Sequence, residues 1–222
     1  MLTQSSEKTK KLTSVSVLIA LAYVVVLLSK QIPIQVAGFL NMDFSNVVVV
    51  IGGLIYGPMT AAAIAAVVGF VEMLTISNTG IYGYLMNIVA TCSFACIAAA
   101  IYKKNRNMKA AIAGLIAGCL SVTATMMLWN YIITPLYMGV PRPVVQGMLV
   151  PVFLPYNLLK SGINAALTVL LYKPVVIGLR RAHLVPESPD SQKGNINWGL
   201  MTAAGFFFIS FGLLFLVLAG VI

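Results

Sequence analysis

Long apolar runs, separated by short polar loops, are the feature that most restricts how this chain can fold. The sequence is 60% hydrophobic and only 9% charged over its 222 residues, whereas a soluble domain carries about 25% charged residues. Several of the runs reach about 20 residues, the length at which an α-helix crosses a bilayer. Spanning segments must satisfy their backbone polar groups internally, as helices do. The sequence therefore predicts an all-α integral membrane protein.

Seven apolar segments can be placed along the chain, and one of them is unusually short. Phe44–Tyr56 is short for a full crossing and ends at Gly57-Pro58, which is a turn signal. We therefore expect it to form a tight helical pair with the segment that follows. The predicted segments are Thr13–Ser29, Phe44–Tyr56, Met59–Ile76, Ile81–Tyr102, Ala110–Ile133, Pro151–Tyr172 and Trp198–Ile222.

The positive charge of the chain indicates its topology. A formal net charge of +9 would suggest a nucleic-acid partner if it were spread over one surface. It is instead concentrated before the first segment, after the fourth and after the sixth, which is typical of cytoplasmic loops. We therefore predict a multi-pass protein of the cell membrane that contacts lipid and no nucleic acid. The residues concerned are Lys8, Lys10, Lys11, Lys103, Lys104, Arg106, Lys109, Lys173, Arg180, Arg181 and Lys193.

The segments and charges together divide the chain into four parts. Residues 1–12 are a predicted cytoplasmic tail, and residues 13–180 a six-helix substrate-binding membrane domain. Residues 181–196 are a predicted cytoplasmic linker, and residues 197–222 an additional transmembrane helix. This order places the N-terminus in the cytoplasm and the C-terminus outside the cell. No internal repeat is evident, so an inverted-repeat carrier is not supported.

A lysine inside the sixth apolar segment is the strongest indication of a solute site. Lys160 shares one helix face with the polar residues Asn157, Ser161 and Asn164, because their spacing is i, i+3, i+4 and i+7. A cation near the bilayer centre costs at least about 2.5–3.5 kcal/mol, so this face requires a cavity or a polar partner. The alternative is a lysine that snorkels to the interface or pairs structurally with an acid. The three accompanying polar residues favour the solute site.

Two acids lie near membrane depth. Asp43 precedes the second segment, where capping of the helix N-terminus would be a sufficient role, with a contact to the ligand as the equal alternative. Glu72 lies late in the third segment, near the outer face. We expect it to neutralise Lys160 and so lower the cost of placing both charges in the membrane.

Asparagines recur at a similar depth in the outer half of the segments, accompanied by aromatic residues. An amide offers donors and an acceptor, and rings are available for stacking, so the set predicts a pocket for a flat, uncharged, polar-edged molecule. Interhelical hydrogen bonding with an interfacial aromatic belt is the alternative. Four amides at one depth with a lysine favour the pocket. The residues are Asn87, Asn130, Asn157 and Asn164, with Tyr82, Tyr84, Trp129, Tyr131 and Tyr156.

Motifs for catalysis, for nucleotide binding through a P-loop and for metal binding are absent from the sequence. It contains no G-x-x-x-x-G-K-[ST], no H-E-x-x-H and no G-x-S-x-G. Cys92, Cys96 and Cys119 fall within apolar segments without a histidine or acid to complete a metal set, so buried apolar roles are favoured. We predict that the protein is not an enzyme and has no catalytic residue, cofactor or metal.

The polar residues stand in motifs that resemble a known family, the membrane-embedded substrate-binding (S) components of energy-coupling-factor (ECF) vitamin transporters. The riboflavin-specific branch is the most similar, and the resemblance covers roughly Thr13–Tyr172. The motifs are Phe39-Leu40-Asn41-Met42-Asp43-Phe44-Ser45, Ile51-Gly52-Gly53-Leu54-Ile55-Tyr56-Gly57-Pro58, Asn87, Asn130-Tyr131 with Pro135-Leu136-Tyr137, and Pro155-Tyr156-Asn157-Leu158-Leu159-Lys160-Ser161-Gly162.

This resemblance implies a six-helix body that captures a vitamin with high affinity at its extracellular side, riboflavin being the first candidate. It implies partners that drive release into the cell, namely a transmembrane coupling subunit and two ATPase subunits. Ser16 and Ala20 occupy the family's alanine-x-x-x-alanine spacing and would meet the coupling subunit. By match of motif, the pocket residues would be Asp43, Asn87, Asn130, Asn157 and Lys160.

Some positions depart from the riboflavin branch. Asn41 stands where that branch usually has lysine, and Tyr84 where it usually has glutamate. The segment Phe70–Gly80 is shorter and lacks a lysine-asparagine pair. An S component for another vitamin is therefore one alternative. A stand-alone secondary transporter with Asp43 or Glu72 as its proton or sodium site is another, and a non-transporting membrane scaffold is a third.

Overall fold

The computed structural model describes residues 2–32, 35–182, 184–185 and 198–221, and that part of the chain is almost entirely helical. Six of its helical segments are long and apolar enough to cross a membrane, and a shorter apolar helix joins them. The predicted all-α membrane fold is confirmed. The helices are α1 (Leu2–Lys30), α2 (Ser45–Tyr56), α3 (Pro58–Thr75), α4 (Gly80–Asn105), α5 (Met108–Met138), α6 (Arg142–Met148), α7 (Leu154–Arg181) and α8 (Trp198–Leu218).

Two helical segments extend beyond their predicted bounds. Helix α1 already begins at Leu2, so the predicted N-terminal tail is helical over most of its length. Helix α6 passes through a π-helical turn, Leu149–Phe153, directly into α7. Pro143 lies in the first turn of α6, where its missing N–H costs no intrahelical hydrogen bond. The helical structure therefore begins well before the predicted segment Pro151–Tyr172.

The turn between α2 and α3 has the tight geometry that its sequence predicted. Gly57 has φ +100°, a value that L-residues with a side chain rarely adopt. Its N–H donates to the carbonyl oxygen of Gly53 at 2.7 Å, which closes the last turn of α2. Pro58 opens α3 at once. The two helices are therefore joined by a single residue.

Close approach of α4 and α5 forms one side of the core. A Cβ added at Gly114 would lie 2.6 Å from the carbonyl oxygen of Ala98, and one added at Gly118 would lie 2.7 Å from that of Phe94. Only glycine fits at both positions, four residues apart on α5. The backbones thus pack directly against each other, while α2 lies buried along most of its length beside them.

A small β-hairpin replaces the predicted loop between α1 and α2. Strand β1 (Gln35–Val36) pairs antiparallel with β2 (Leu40–Asn41), with Gln35 opposite Asn41. Ala37 and Gly38 form the turn at φ +53° and +78°. The side chains of Gln35 and Asn41 are also hydrogen bonded, at 2.9 Å. The loop is therefore an ordered element that packs through the buried Val36.

Helix α8 packs along α7. The ring of Phe211 lies against Gly162, where an added Cβ would be 2.7 Å from the ring. Of the α8 residues, only Ala204 and Phe215 are fully buried, so the remaining surface is available to lipid. Most of the predicted linker over 181–196 lies outside the described residues.

The two ends of the bundle differ in chemistry. At one end, the hydroxyls of Ser14 and Tyr56 both donate to the carbonyl oxygen of Leu184. The ammonium of Lys11 lies over the Tyr56 ring, 5.9 Å from its centroid, and the basic turn between α4 and α5 lies at the same end. The opposite end holds the β-hairpin and a polar cavity.

Candidate functional site

A cavity of about 370 Å³ opens at the end of the bundle opposite the basic loops. Its wall is built from the C-terminal ends of α1, α3 and α5, the N-terminal ends of α2, α4 and α7, and the β-hairpin. Its volume lies within the range of about 300–1,000 Å³ that is usual for small-molecule sites. The predicted site residues that line it are Asp43, Asn87, Asn130, Asn157 and Lys160.

An ion pair that the sequence did not predict crosses one side of the cavity. The ammonium of Lys30 lies 2.9 Å from Oε1 of Glu72, and it also donates to the carbonyl oxygen of Ile76 at 3.3 Å. The amide nitrogen of Asn87 donates to Oε2 of the same carboxylate at 3.1 Å. Both oxygens of Glu72 are therefore engaged, and α1, α3 and α4 are joined at the cavity wall.

The predicted pairing of Glu72 with Lys160 is wrong. Lys30, at the C-terminal end of α1, lies beside Glu72 and takes the carboxylate. Lys160 has no carboxylate within 4.0 Å among the described residues. Its ammonium lies 5.8 Å from the ring centroid of Tyr156, a distance at which the ring quadrupole attracts a cation. Lys160 thus lines the cavity as a cation without an ion-pair partner in the described part of the chain.

Asp43 lies just before α2 and is held by local hydrogen bonds. Its carboxylate accepts hydrogen bonds from the backbone N–H and the hydroxyl of Ser45, both at 2.8 Å, at the first residue of α2. The same residue lines the cavity. These two hydrogen bonds hold the carboxylate in place. The dipole of α2 adds to this, because it favours an anion at the N-terminus of a helix.

The cavity amides are held by the protein through their nitrogens. Asn157 donates to the carbonyl oxygen of Phe153 in the π-helical turn at 2.7 Å, and Asn87 donates to Glu72. The side-chain oxygens of Asn87 and Asn157 accept no hydrogen bond from the described residues. Asn130 is satisfied within α5, since it donates to Met126 and accepts from Thr134.

Asn164 lies behind the cavity. It is completely buried, and its amide nitrogen donates to the carbonyl oxygens of Asp43, at 3.0 Å, and Lys160, at 2.8 Å. Its own side-chain oxygen is buried without a partner in the described structure. Asn164 therefore joins α7 to the segment before α2 by a hydrogen bond. For this residue the structure agrees with the alternative of interhelical hydrogen bonding.

Four of the five predicted aromatic residues do not line the cavity, namely Tyr82, Tyr84, Trp129 and Tyr131. Tyr84 packs against Gly69 and edge-on against Phe70, with 6.2 Å between the ring centroids. Tyr131 is 37% exposed on the outer surface of α5. The aromatic residues that do line the cavity are Phe39, Phe94, Tyr137 and Tyr156.

Several cavity residues were missed by sequence reasoning. Lys30 lies just beyond the predicted segment Thr13–Ser29 and was not assigned to the site, although it pairs with Glu72 in the wall. Asn46 lies in the first turn of α2, three residues after Asp43. Its side-chain oxygen accepts from the hydroxyl of Thr91 at 2.8 Å, and its nitrogen remains as a donor in the cavity wall. Asn41 was quoted in a motif but not assigned to the site.

Comparison with known proteins decides the class of protein to which this cavity belongs. A sequence model of the substrate-specific component of ECF transporters matches residues 10–172. The chain belongs to this family. It is therefore a substrate-capture membrane component of a transporter and not an enzyme. No cluster of metal-binding side chains occurs among the residues that the structure describes.

This S component is similar to three riboflavin transporters. It is 29% identical over 189 residues to riboflavin transporter FmnP of Bacillus subtilis. That alignment covers 80% of this chain and 99% of FmnP. It is 28% identical to riboflavin transporter RibU of Staphylococcus aureus, covering 79% and 95% of the two chains. A RibU of Streptococcus thermophilus is 29% identical over 75% of this chain and 83% of that protein.

The fold of the S component also has a solved relative. The structure described as the S component of a bacterial ECF transporter superposes with a TM-score of 0.67 at 28% sequence identity. The alignment covers 99% of that chain but 78% of this one. Part of this chain therefore has no counterpart in that structure, and α8 lies beyond the residues that the family model matches.

Proposed function

We propose that this S component captures riboflavin from outside the cell with high affinity. The observation that supports the proposal most directly is the cavity of about 370 Å³ with amide, carboxylate and lysine side chains in its wall. The similarity to proteins named as riboflavin transporters over most of this chain supports the choice of ligand. Another vitamin is the alternative, because Asn41 stands in this wall where the riboflavin branch usually has lysine.

The chemistry of the wall is complementary to a flavin. The pyrimidine edge of an isoalloxazine ring presents an imide N–H between two carbonyl groups. The free oxygens of Asn87 and Asn157 are acceptors for that N–H, and the ammonium of Lys160 is a donor to a carbonyl. Phe94 and Met126 supply apolar and polarisable surface for the ring faces.

We further propose that the cavity faces the exterior and the basic end faces the cytoplasm. Lys11, the α4–α5 turn with Arg106, and Arg181 at the end of α7 all lie at the end away from the cavity. An excess of lysine and arginine favours the cytoplasmic side. With this orientation, the N-terminus is cytoplasmic and α8 ends on the extracellular side.

The partners proposed for transport are a transmembrane coupling subunit and two ATPase subunits. Ser16 and Ala20 are exposed on one face of α1, next to the exposed apolar residues Val17, Leu21 and Val24. Small residues on such a face let a second helix approach closely. This face is the proposed contact with the coupling subunit, and the ATPases would drive release of the vitamin into the cell.

The function is tested by a visible absorption spectrum of the purified protein, followed by titration with riboflavin. We expect flavin bands at a stoichiometry near one to one, or fluorescence quenching with a submicromolar midpoint. A colourless protein that does not bind riboflavin would contradict the choice of ligand, and mass spectrometry of copurified molecules would then identify another vitamin. Uptake that needs no ATPase partners and follows the ion gradient would instead support a secondary transporter.

A further inference from the structure

Helix α8 has few buried residues, and one of them packs close to the cavity. It lies beyond residues 10–172, which the family model matches. Along its length only Ala204 and Phe215 are fully buried. Phe215 lies near the C-terminal end of α8, at the same end of the bundle as the β-hairpin. Phe215 is therefore the fully buried aromatic side chain by which α8 reaches the cavity region, with Phe208 and Phe211 packed beside it.

Phe215 packs directly on a residue of the cavity wall. Its ring centroid lies 6.3 Å from that of Tyr156, with the two planes at 45°. Both side chains are buried in one apolar cluster, which also contains Val36 of the β-hairpin, Met42 just after it, and Ile163 of α7. Because Tyr156 belongs to the cavity wall, this cluster joins α8, the hairpin and the lysine-bearing helix.

Tyr156 has two polar neighbours in the same wall. Its hydroxyl donates a hydrogen bond to the carbonyl oxygen of Asn41, at the end of the hairpin. Its ring faces the ammonium of Lys160 at 5.8 Å. Tyr156 therefore contacts both the end of the hairpin and the cation of Lys160.

We propose that Phe215 is a positioning residue for the cavity. By packing on Tyr156, it holds the hairpin carbonyl of Asn41 and the ammonium of Lys160 in the arrangement that binds ligand. The consequence for affinity rests on the proposed function, but the effect on the hairpin does not. Without the Phe215 ring, Tyr156 loses the packing on one face, and the hairpin is held in place for a smaller fraction of the time.

The first test is hydrogen–deuterium exchange of the hairpin in the full-length, ligand-free protein. Phe215→Ala should raise the exchange rate of the amides over residues 35–42. Tyr156→Phe should do the same, because it keeps the ring but removes the hydrogen bond to Asn41. Phe206→Ala is the matched control, since Phe206 is 68% exposed on the same helix. The hairpin amides of this variant should exchange at the wild-type rate. Unchanged hairpin exchange in Phe215→Ala would overturn the proposal.

Riboflavin titration of the same variants is the second test. If only about a tenth of the protein molecules keep the cavity in the arrangement that binds ligand, the apparent Kd rises about tenfold. We expect this weakening, with faster dissociation, for Phe215→Ala and a smaller one for Phe215→Leu, which keeps apolar volume. Binding by Phe215→Ala as tight as that of the wild type would overturn the proposal. A wild type that ignores riboflavin would contradict the proposed function instead, and the exchange experiment would still decide the role of Phe215.

Discussion

Two lysines and two acids line the cavity, but they are not equivalent. Lys30 and Glu72 lie 2.9 Å apart, with side chains 32% and 12% exposed, so each offsets the charge of the other. Asp43 is occupied by Ser45. Lys160 is the charged wall residue that has no ion-pair partner within 4.0 Å among the described residues. A polar ligand is therefore expected to draw its charge-assisted hydrogen bond from Lys160.

Substitution of the polar residues of α7 should weaken ligand binding. Lys160→Ala and Asn157→Ala should each cost roughly 1–3 kcal/mol of binding free energy, or about 5- to 150-fold in affinity, because each removes a buried polar contact. Titration of the purified variants with riboflavin measures the change. Leu158→Ala is the control, since Leu158 is exposed on the other face of α7. Wild-type affinity in both polar variants would exclude this face from the site.

The role of Glu72 can be separated into its charge and its hydrogen bond. Glu72→Gln keeps an acceptor for Asn87 and should change riboflavin affinity only a few-fold, because Lys30 is partly exposed and can be solvated. Glu72→Ala leaves the Asn87 amide unheld and should weaken binding about tenfold or more. Titration and uptake should be measured together. Loss of uptake in Glu72→Gln with binding intact would favour Glu72 as an ion site of a secondary transporter.

At this scale, helical spacing predicted neighbours within one helix but not between helices. The i, i+3 relation between Asn157 and Lys160 placed both on one face, and the structure has both in the cavity wall. The partner of Glu72 depended on the packing of α1 against α3, which no local pattern encodes. Tyr84 and Tyr131 lie outside the wall because the rotation of α4 and α5 about their axes is set by packing.

Among the elements, the α4–α5 pair shows how glycine sets the distance between two helices. Gly114→Val should destabilise the protein by about 1–3 kcal/mol, because its side chain would overlap the backbone of Ala98. A thermal unfolding curve in detergent should show the lowered midpoint. Ala113→Val introduces the same residue at an exposed neighbouring position and should unfold close to the wild type. Equal midpoints for the two variants would show that the close approach carries no such constraint.

The sequence predicted the helices better than the connections between them. Apolar runs identified each membrane segment, and Gly57-Pro58 identified the turn between α2 and α3. The π-helical turn Leu149–Phe153 and the β-hairpin were not predicted. Both depend on tertiary partners: the side chain of Asn157 donates to Phe153, and Val36 of the hairpin is buried against the cluster that includes Phe215.

For the molecule as a whole, capture and transport should be separable. Ser16→Trp or Ala20→Trp places a large side chain on the exposed face of α1, so riboflavin uptake in cells containing an ECF module should fall at least tenfold, an order-of-magnitude expectation for a blocked helix contact. Riboflavin binding by the purified variants should be unchanged, because neither residue lines the cavity. Ala203→Trp, on the exposed surface of α8, is the matched control for uptake. Undiminished uptake in both α1 variants would contradict the proposed interface.

The charge balance of the cavity has a consequence for energetics across the cell envelope. Lys30 and Lys160 match Asp43 and Glu72, so the formal charges of the described lining residues sum to zero. Moving one elementary charge through the full membrane potential involves about 2.3 kcal/mol per 100 mV. A neutral vitamin entering a cavity of this kind carries no charge through that field. The capture step should therefore proceed equally well in energised and depolarised cells.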